Sequence, residues 1–281
     1  MKPLSFLVSL LLTVGGIVAL ADAARAAEPS ALASSTQMIV VTTSDWSAVE
    51  GRLQRYERGN PHKKWRAVGE PISVVVGKNG LGWGAGVIPT DNAPTDDPKI
   101  KIRAATDPVK KEGDGKAPAG VFALGTGFGY APQPLPGSKM PYLNLTPSVE
   151  CVDDTSSKYY NRVVDRSAVV DRDTAAPDWN SSEHMLRSDE LYRWGVVVGH
   201  NSIVAEHNAN APAPGGGSCI FLHIWRGPGQ PTVGCTAMPQ GQLESLLTWL
   251  DPARNPLLVQ LPAPEYERLR KRWKLPHLKS K

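Results

Sequence analysis

The stretch FLHIWRGPGQPTVGCTAM places His223 twelve residues before Cys235, with Thr232, Val233 and Gly234 leading directly into the cysteine. A cysteine attacks as its thiolate. Two common devices favour that form: a nearby histidine that takes the proton, and backbone amides that hold negative charge. Both are on offer here. His223 lies at the end of an apolar run, and the RGPGQP loop returns the chain toward Cys235. Gly234 permits a sharp turn, so the amides around Cys235 and Thr236 are candidates for an oxyanion site. The same residues also suit a plain strand end and a tight turn, and local chemistry alone leaves the two readings balanced.

The cysteine count bears on that balance. The chain has three, Cys151, Cys219 and Cys235. An oxidising compartment pairs two and leaves one as a thiol. A free thiol in an exported protein is open to oxidation unless it has work to do. Cys235 is therefore expected to be free and Cys151–Cys219 to be the disulfide, the alternative being three buried reduced cysteines.

Export itself is read from the start of the chain. Lys2 precedes an apolar run from Leu4 to Leu20, and small residues with Ala-x-Ala spacing follow, so residues 1–26 read as a signal peptide and 27–36 as a leader. No stable membrane span is expected after cleavage. Cleavage would remove two positive charges and one negative from a formal +4, leaving +3, too mild a charge to suggest a nucleic-acid partner. The expected location is periplasmic or secreted, associated with the cell wall.

The elements that must position the two residues are mostly strands. QMIVVTT at 37–43, GRLQRYERG at 51–59 and WRAVGEPISVVVGKNG at 65–80 carry β-branched, strand-like patterns, with a polar turn at 59–64. Residues 81–118 are rich in turn formers and mixed charge and read as surface loops. AGVFALGTGFGYAP resumes the strand pattern. Residues 133–193 read as a long loop-rich insertion or lid. YRWGVVVGHN and SCIFLHIW read as central strands, each with a histidine at its end. Leu243, Leu246, Leu247 and Leu250 have helical spacing, PLLVQLP is a last strand, and 263–281 is a basic C-terminal tail with a short, solvated helix.

His223, the Gly-rich loop, Thr232-x-Gly234-Cys235 and the helix after them resemble the catalytic domain of the L,D-transpeptidases, the YkuD-like family. GDGKAPAGVFALGTGFG at 113–129 is similar to a second family segment, matching at Gly113, Asp114, Gly115, Pro118, Gly120 and Phe122, with Ala117 in place of the usual threonine. The likeness covers roughly 37–262. Two residues depart from the common pattern: Val233 stands where a histidine is usual, and no arginine follows the cysteine. This resembles the subgroup with His-x-Trp before the loop.

The resemblance implies a mainly β, sandwich-like catalytic domain and an exported peptidoglycan enzyme. Its cysteine would acylate on a stem tetrapeptide, expel the terminal D-alanine, and pass the acyl group to an amine. Carried over by position, Cys235 is the nucleophile, His223 the general base and acid, and Gly234 an oxyanion contributor. Arg226, His200 and Trp225 are candidates for substrate binding. Asp114, between glycines, is expected to shape a turn rather than to act in catalysis. Two other readings stand beside this one. Water could take the acyl group, giving an L,D-carboxypeptidase or amide hydrolase. The chain could instead be a non-catalytic wall-binding module, or hold a metal through His200, His207, His223 and Cys235, although their spacing matches no zinc signature and no cofactor is expected.

Overall fold

The computed structural model describes residues 30–90, 102–169, 176–202 and 212–278. The expected signal peptide and His207 lie outside them. A short helix α1 (Ser30–Ser34) leads into β1 (Gln37–Thr43), β2 (Glu50–Glu57), β3 (Arg66–Val75), β4 (Leu81–Trp83) and the long β5 (Ala117–Gly129). Next come β6 (Tyr142–Asn144), β7 (Val149–Val152), β8 (Val163–Asp165), α2 (Arg166–Val169) and β9 (Ser182–His184). The chain finishes with β10 (Trp194–Val198), β11 (Phe221–Ile224), β12 (Thr236–Met238), α3 (Gln240–Trp249), β13 (Leu257–Pro262) and α4 (Ala263–Arg270).

The protein is mainly β, and its principal sheet closes on itself. The order β10-β11-β12-β3-β2-β1-β13-β5 is completed by a direct β5–β10 pairing. The expected sandwich-like domain is thus a mixed barrel. Closure is possible because β5 is long: residues 120–123 pair with β13, and residues 124–129 pair with β10. β11–β12 and β13–β1 are parallel, and the other pairings in the ring are antiparallel.

Helices cover part of the barrel's outside. α3 packs on β10 and β11, and α4 on β13 and β1. A strand covered on both faces is apolar throughout instead of alternating, which is why every residue of β13 is buried and all but one of β1. Leu243, Leu246 and Leu247 supply the buried face of α3, each contributing about 1.5–3 kcal/mol by leaving water.

Three regions differ from the sequence reading. Residues 81–118 are not all surface loop: Leu81 and Trp83 are in the core and β4 pairs with the start of β5. The basic tail is docked as well as solvated, since Tyr266, Leu269, Trp273 and Leu275 are buried while Arg268 and Arg270 pair with Glu265 and Glu267 at the surface. The leader also reaches the core, through Leu32. Within the insertion, β7, β8 and β9 form a separate three-stranded sheet. Among the described residues no helix is long and apolar enough to cross a membrane.

Candidate active site around Cys235

The disulfide is Cys151–Cys219, with a Cα–Cα distance of 6.0 Å, and Cys235 is free and buried. Cys235 immediately precedes β12, which runs parallel to β11 with His223 in register with Ala237. The strand pairing therefore brings the two residues to the same end of the barrel. Both line a pocket of about 80 Å³, together with Glu183, Arg187, Tyr192, Trp225, Arg226 and Val233. A larger hollow of about 800 Å³ is lined by the disulfide and by Arg162, without a free thiol or a histidine.

The histidine is oriented by its own strand. His223 Nδ1 lies 2.7 Å from the Ile224 carbonyl, so Nδ1 carries the proton and Nε2 is left as the basic nitrogen. The ring meets Tyr192 edge-on at 5.2 Å between centroids. Burial lowers its pKa to about 4; the Ile224 carbonyl opposes the drop, and Arg187 and Arg226 add to it. The Cys235 thiol is pushed up to about 12, first by burial and then by the Glu183 charge, against the Phe221 amide, Lys110 and the Tyr192 hydroxyl. The resting pair is a neutral thiol and a neutral imidazole. The thiol donates to the Cys219 carbonyl at 3.5 Å and accepts from the Phe221 amide at 3.3 Å.

The loop before Cys235 is tied by Thr232, whose hydroxyl donates to the Cys235 carbonyl at 2.6 Å and accepts from the Gly234 amide at 3.1 Å. This changes the expected oxyanion site. The Gly234 amide is already engaged, whereas among the described residues the Cys235 amide has no hydrogen-bond partner. The reason for glycine at 234 is space: a Cβ there would sit 3.2 Å from the Lys116 carbonyl oxygen. The 113–122 segment therefore packs directly against the cysteine loop. The Lys78 amide donates to the Thr232 carbonyl and the Asn79 amide to the Gly115 carbonyl, joining the two through the β3–β4 turn.

As expected, Asp114 shapes its own turn at 111–116, accepting from the amides of Lys111 and Lys116 and from Lys110 Nζ at 2.7 to 2.9 Å. Gly113 and Gly115 both hold φ near +68°, a conformation that costs glycine little.

Of the expected substrate-binding residues, Trp225 and Arg226 are at the pocket and His200 is not. Arg226 is exposed and has no ion-pair or hydrogen-bond partner among the described residues. His200 lies past the end of β10, buried, with Nε2 3.0 Å from the Gly216 carbonyl and its ring edge-on to Phe122. After Val198 the Gly199 amide donates to the Ala123 carbonyl and the Asn201 amide to the Ala85 carbonyl, and the imidazole between them is in the interior, not in the cleft. No metal-binding group of His, Cys, Asp and Glu occurs among the described residues. Compared with family models, curated proteins and solved structures, the chain matches none.

The insertion contributes residues that the sequence reading missed. The Tyr192 hydroxyl donates to Glu183 Oε1 at 2.7 Å, and Arg187 reaches the same oxygen at 3.5 Å. Arg187 is held mainly by Asp189, through Nε at 3.0 Å and Nη2 at 2.9 Å, and stacks over the Tyr192 ring. The available signal was the run Arg187-Ser-Asp189-Glu-Leu-Tyr192, dense in ionisable groups and directly preceding the apolar strand that flanks His223.

Proposed function

We propose that this protein is an exported cysteine acyltransferase of the L,D-transpeptidase type, acting on peptidoglycan stem peptides. The observation that carries the reading is that the chain's free cysteine shares one pocket with a histidine whose tautomer is set for accepting a proton. The two segments that resemble the family, 113–122 and 223–235, also pack against each other. The disulfide is compatible with an extracytoplasmic location.

With both partners neutral at rest, His223 Nε2 removes the thiol proton as Cys235 attacks the stem carbonyl, not beforehand. The Cys235 amide is the oxyanion donor left open. The protonated His223 then donates to the departing D-alanine nitrogen, leaving a thioester on Cys235. Trp225 and the exposed Val233 wall the pocket mouth, and Arg226 supplies a free cation for a substrate carboxylate. The experiment is to incubate the protein with tetrapeptide muropeptides and analyse the products. Loss of D-alanine and formation of cross-linked dimers is expected, abolished by Cys235→Ala. Unchanged turnover in that variant would refute the proposal.

A further inference from the structure

The pocket holds a carboxylate that the acylation half of the reaction does not use. Glu183 sits in β9, in register with Cys151 of β7, and Cys151 is bonded to Cys219, whose carbonyl accepts the Cys235 thiol. One covalent link thus fixes the position of Glu183 relative to the nucleophile. Its Oε1 is occupied by Tyr192 and Arg187, while Oε2 takes no hydrogen bond among the described residues and the side chain is partly exposed at the pocket. Arg187 makes its shorter hydrogen bonds to Asp189 and a longer one to Glu183 Oε1.

A negative charge here works against the free enzyme. The groups facing Glu183 are Tyr192, Arg187, Asp189, Asp153 and Cys235, and its charge disfavours the thiolate. That conflict disappears once Cys235 is acylated, because a thioester sulfur is uncharged. The open oxygen Oε2 is then a partner within the pocket for a cationic group.

We propose that Glu183 is the docking group and first base for a cationic acceptor, the primary ammonium of a second stem peptide. The idea rests on the acyl-transfer reading above and assigns the residue that receives the acceptor. Proton stoichiometry supports it. An ammonium loses two protons in becoming an amide nitrogen, whereas water loses one in becoming the carboxyl hydroxyl. Glu183 Oε2 takes the first proton, and the free amine attacks the thioester carbon. The C–N bond forms and the C–S bond breaks. His223 takes the second proton and returns it to the departing Cys235 sulfur, and Glu183 later releases its proton to solvent.

The test compares two acceptors on the acylated full-length protein: a stem tetrapeptide with a free side-chain ammonium, and hydroxylamine, which is uncharged at neutral pH. In Glu183→Gln the ratio of ammonium to hydroxylamine aminolysis falls about tenfold or more, through the KM for the acceptor, and Glu183→Asp restores part of it. In the unaltered protein, added salt raises the KM for the ammonium acceptor and not that for hydroxylamine, a readout that does not depend on any variant folding. An unchanged ratio in Glu183→Gln, or equal salt effects on the two acceptors, overturns the role of Glu183. Failure of the unaltered protein to form any acyl-enzyme overturns the acyl-transfer reading, and this inference with it.

Discussion

His200 and His223 are closely matched by ordinary measures. Each follows or ends an apolar strand run, each is buried, and each has its pKa lowered to about 4, first by burial. They differ in what surrounds the ring. His223 lines the pocket beside Cys235, with one nitrogen fixed by a carbonyl. His200 is enclosed: its Nε2 faces the Gly216 carbonyl, Lys110 lies nearby, and a Cβ at Gly84 would come within 2.7 Å of its Nδ1. Burial and a shifted pKa therefore do not separate the histidine proposed to act in catalysis from the one enclosed in the interior. A pocket shared with Cys235 does.

The comparison is broken most severely by removing the proposed reactive pair. Cys235→Ala or His223→Ala should lower kcat/KM by on the order of 10³-fold or more, measured by D-alanine release, whereas His200→Gln should leave the pH profile of the reaction unmoved. Next in size is the disulfide. It closes a separation of 68 residues, and a Cys151→Ser, Cys219→Ser double variant should lose about 4 kcal/mol of stability in denaturant unfolding.

The two histidines should then act alike on stability. Each binds a proton near pH 6.5 when unfolded and only near 4 when folded. The stability they contribute is full above about 6.5 and is lost as pH falls from there through 4, roughly 3 kcal/mol for each. His200→Gln should remove about half of that dependence, seen as a flatter Tm between pH 4 and 6.5. The smallest effect is expected at Arg226. It is exposed and has no ion-pair partner among the described residues, and its replacement by alanine should raise the donor KM by several-fold, about 1 kcal/mol, with little change in kcat.

Much of this architecture was legible in the chain because strand and helix periodicity depend on local pattern. QMIVVTT, the Leu243–Leu250 stripe and PLLVQLP became β1, α3 and β13. The odd cysteine was also legible, since redox chemistry makes counting informative. Barrel closure was not, because it depends on β5 serving two partners along its length. The sequence neighbourhood of His200 matches that of His223, and only the backbone contacts made after Val198, to Ala123 and Ala85, separate them. The engagement of the Gly234 amide by Thr232 depends on a side-chain rotamer that sequence does not show. Glu183 and Tyr192 were missed because a loop-rich insertion has no periodicity from which to infer what faces inward. The place of Glu183 is set by a disulfide and a small sheet remote in sequence, and Tyr192, just before β10, is tied to it by a hydrogen bond.

The central claim is that Cys235 becomes acylated by a stem peptide. Intact-mass analysis of the full-length protein after brief exposure to a tetrapeptide donor, with peptide mapping of the adduct, tests it directly. The account predicts a single adduct with the mass of the tripeptide acyl group, located on Cys235 and lost on addition of an amine. Absence of any adduct while D-alanine is released, or an adduct on another residue, would contradict it.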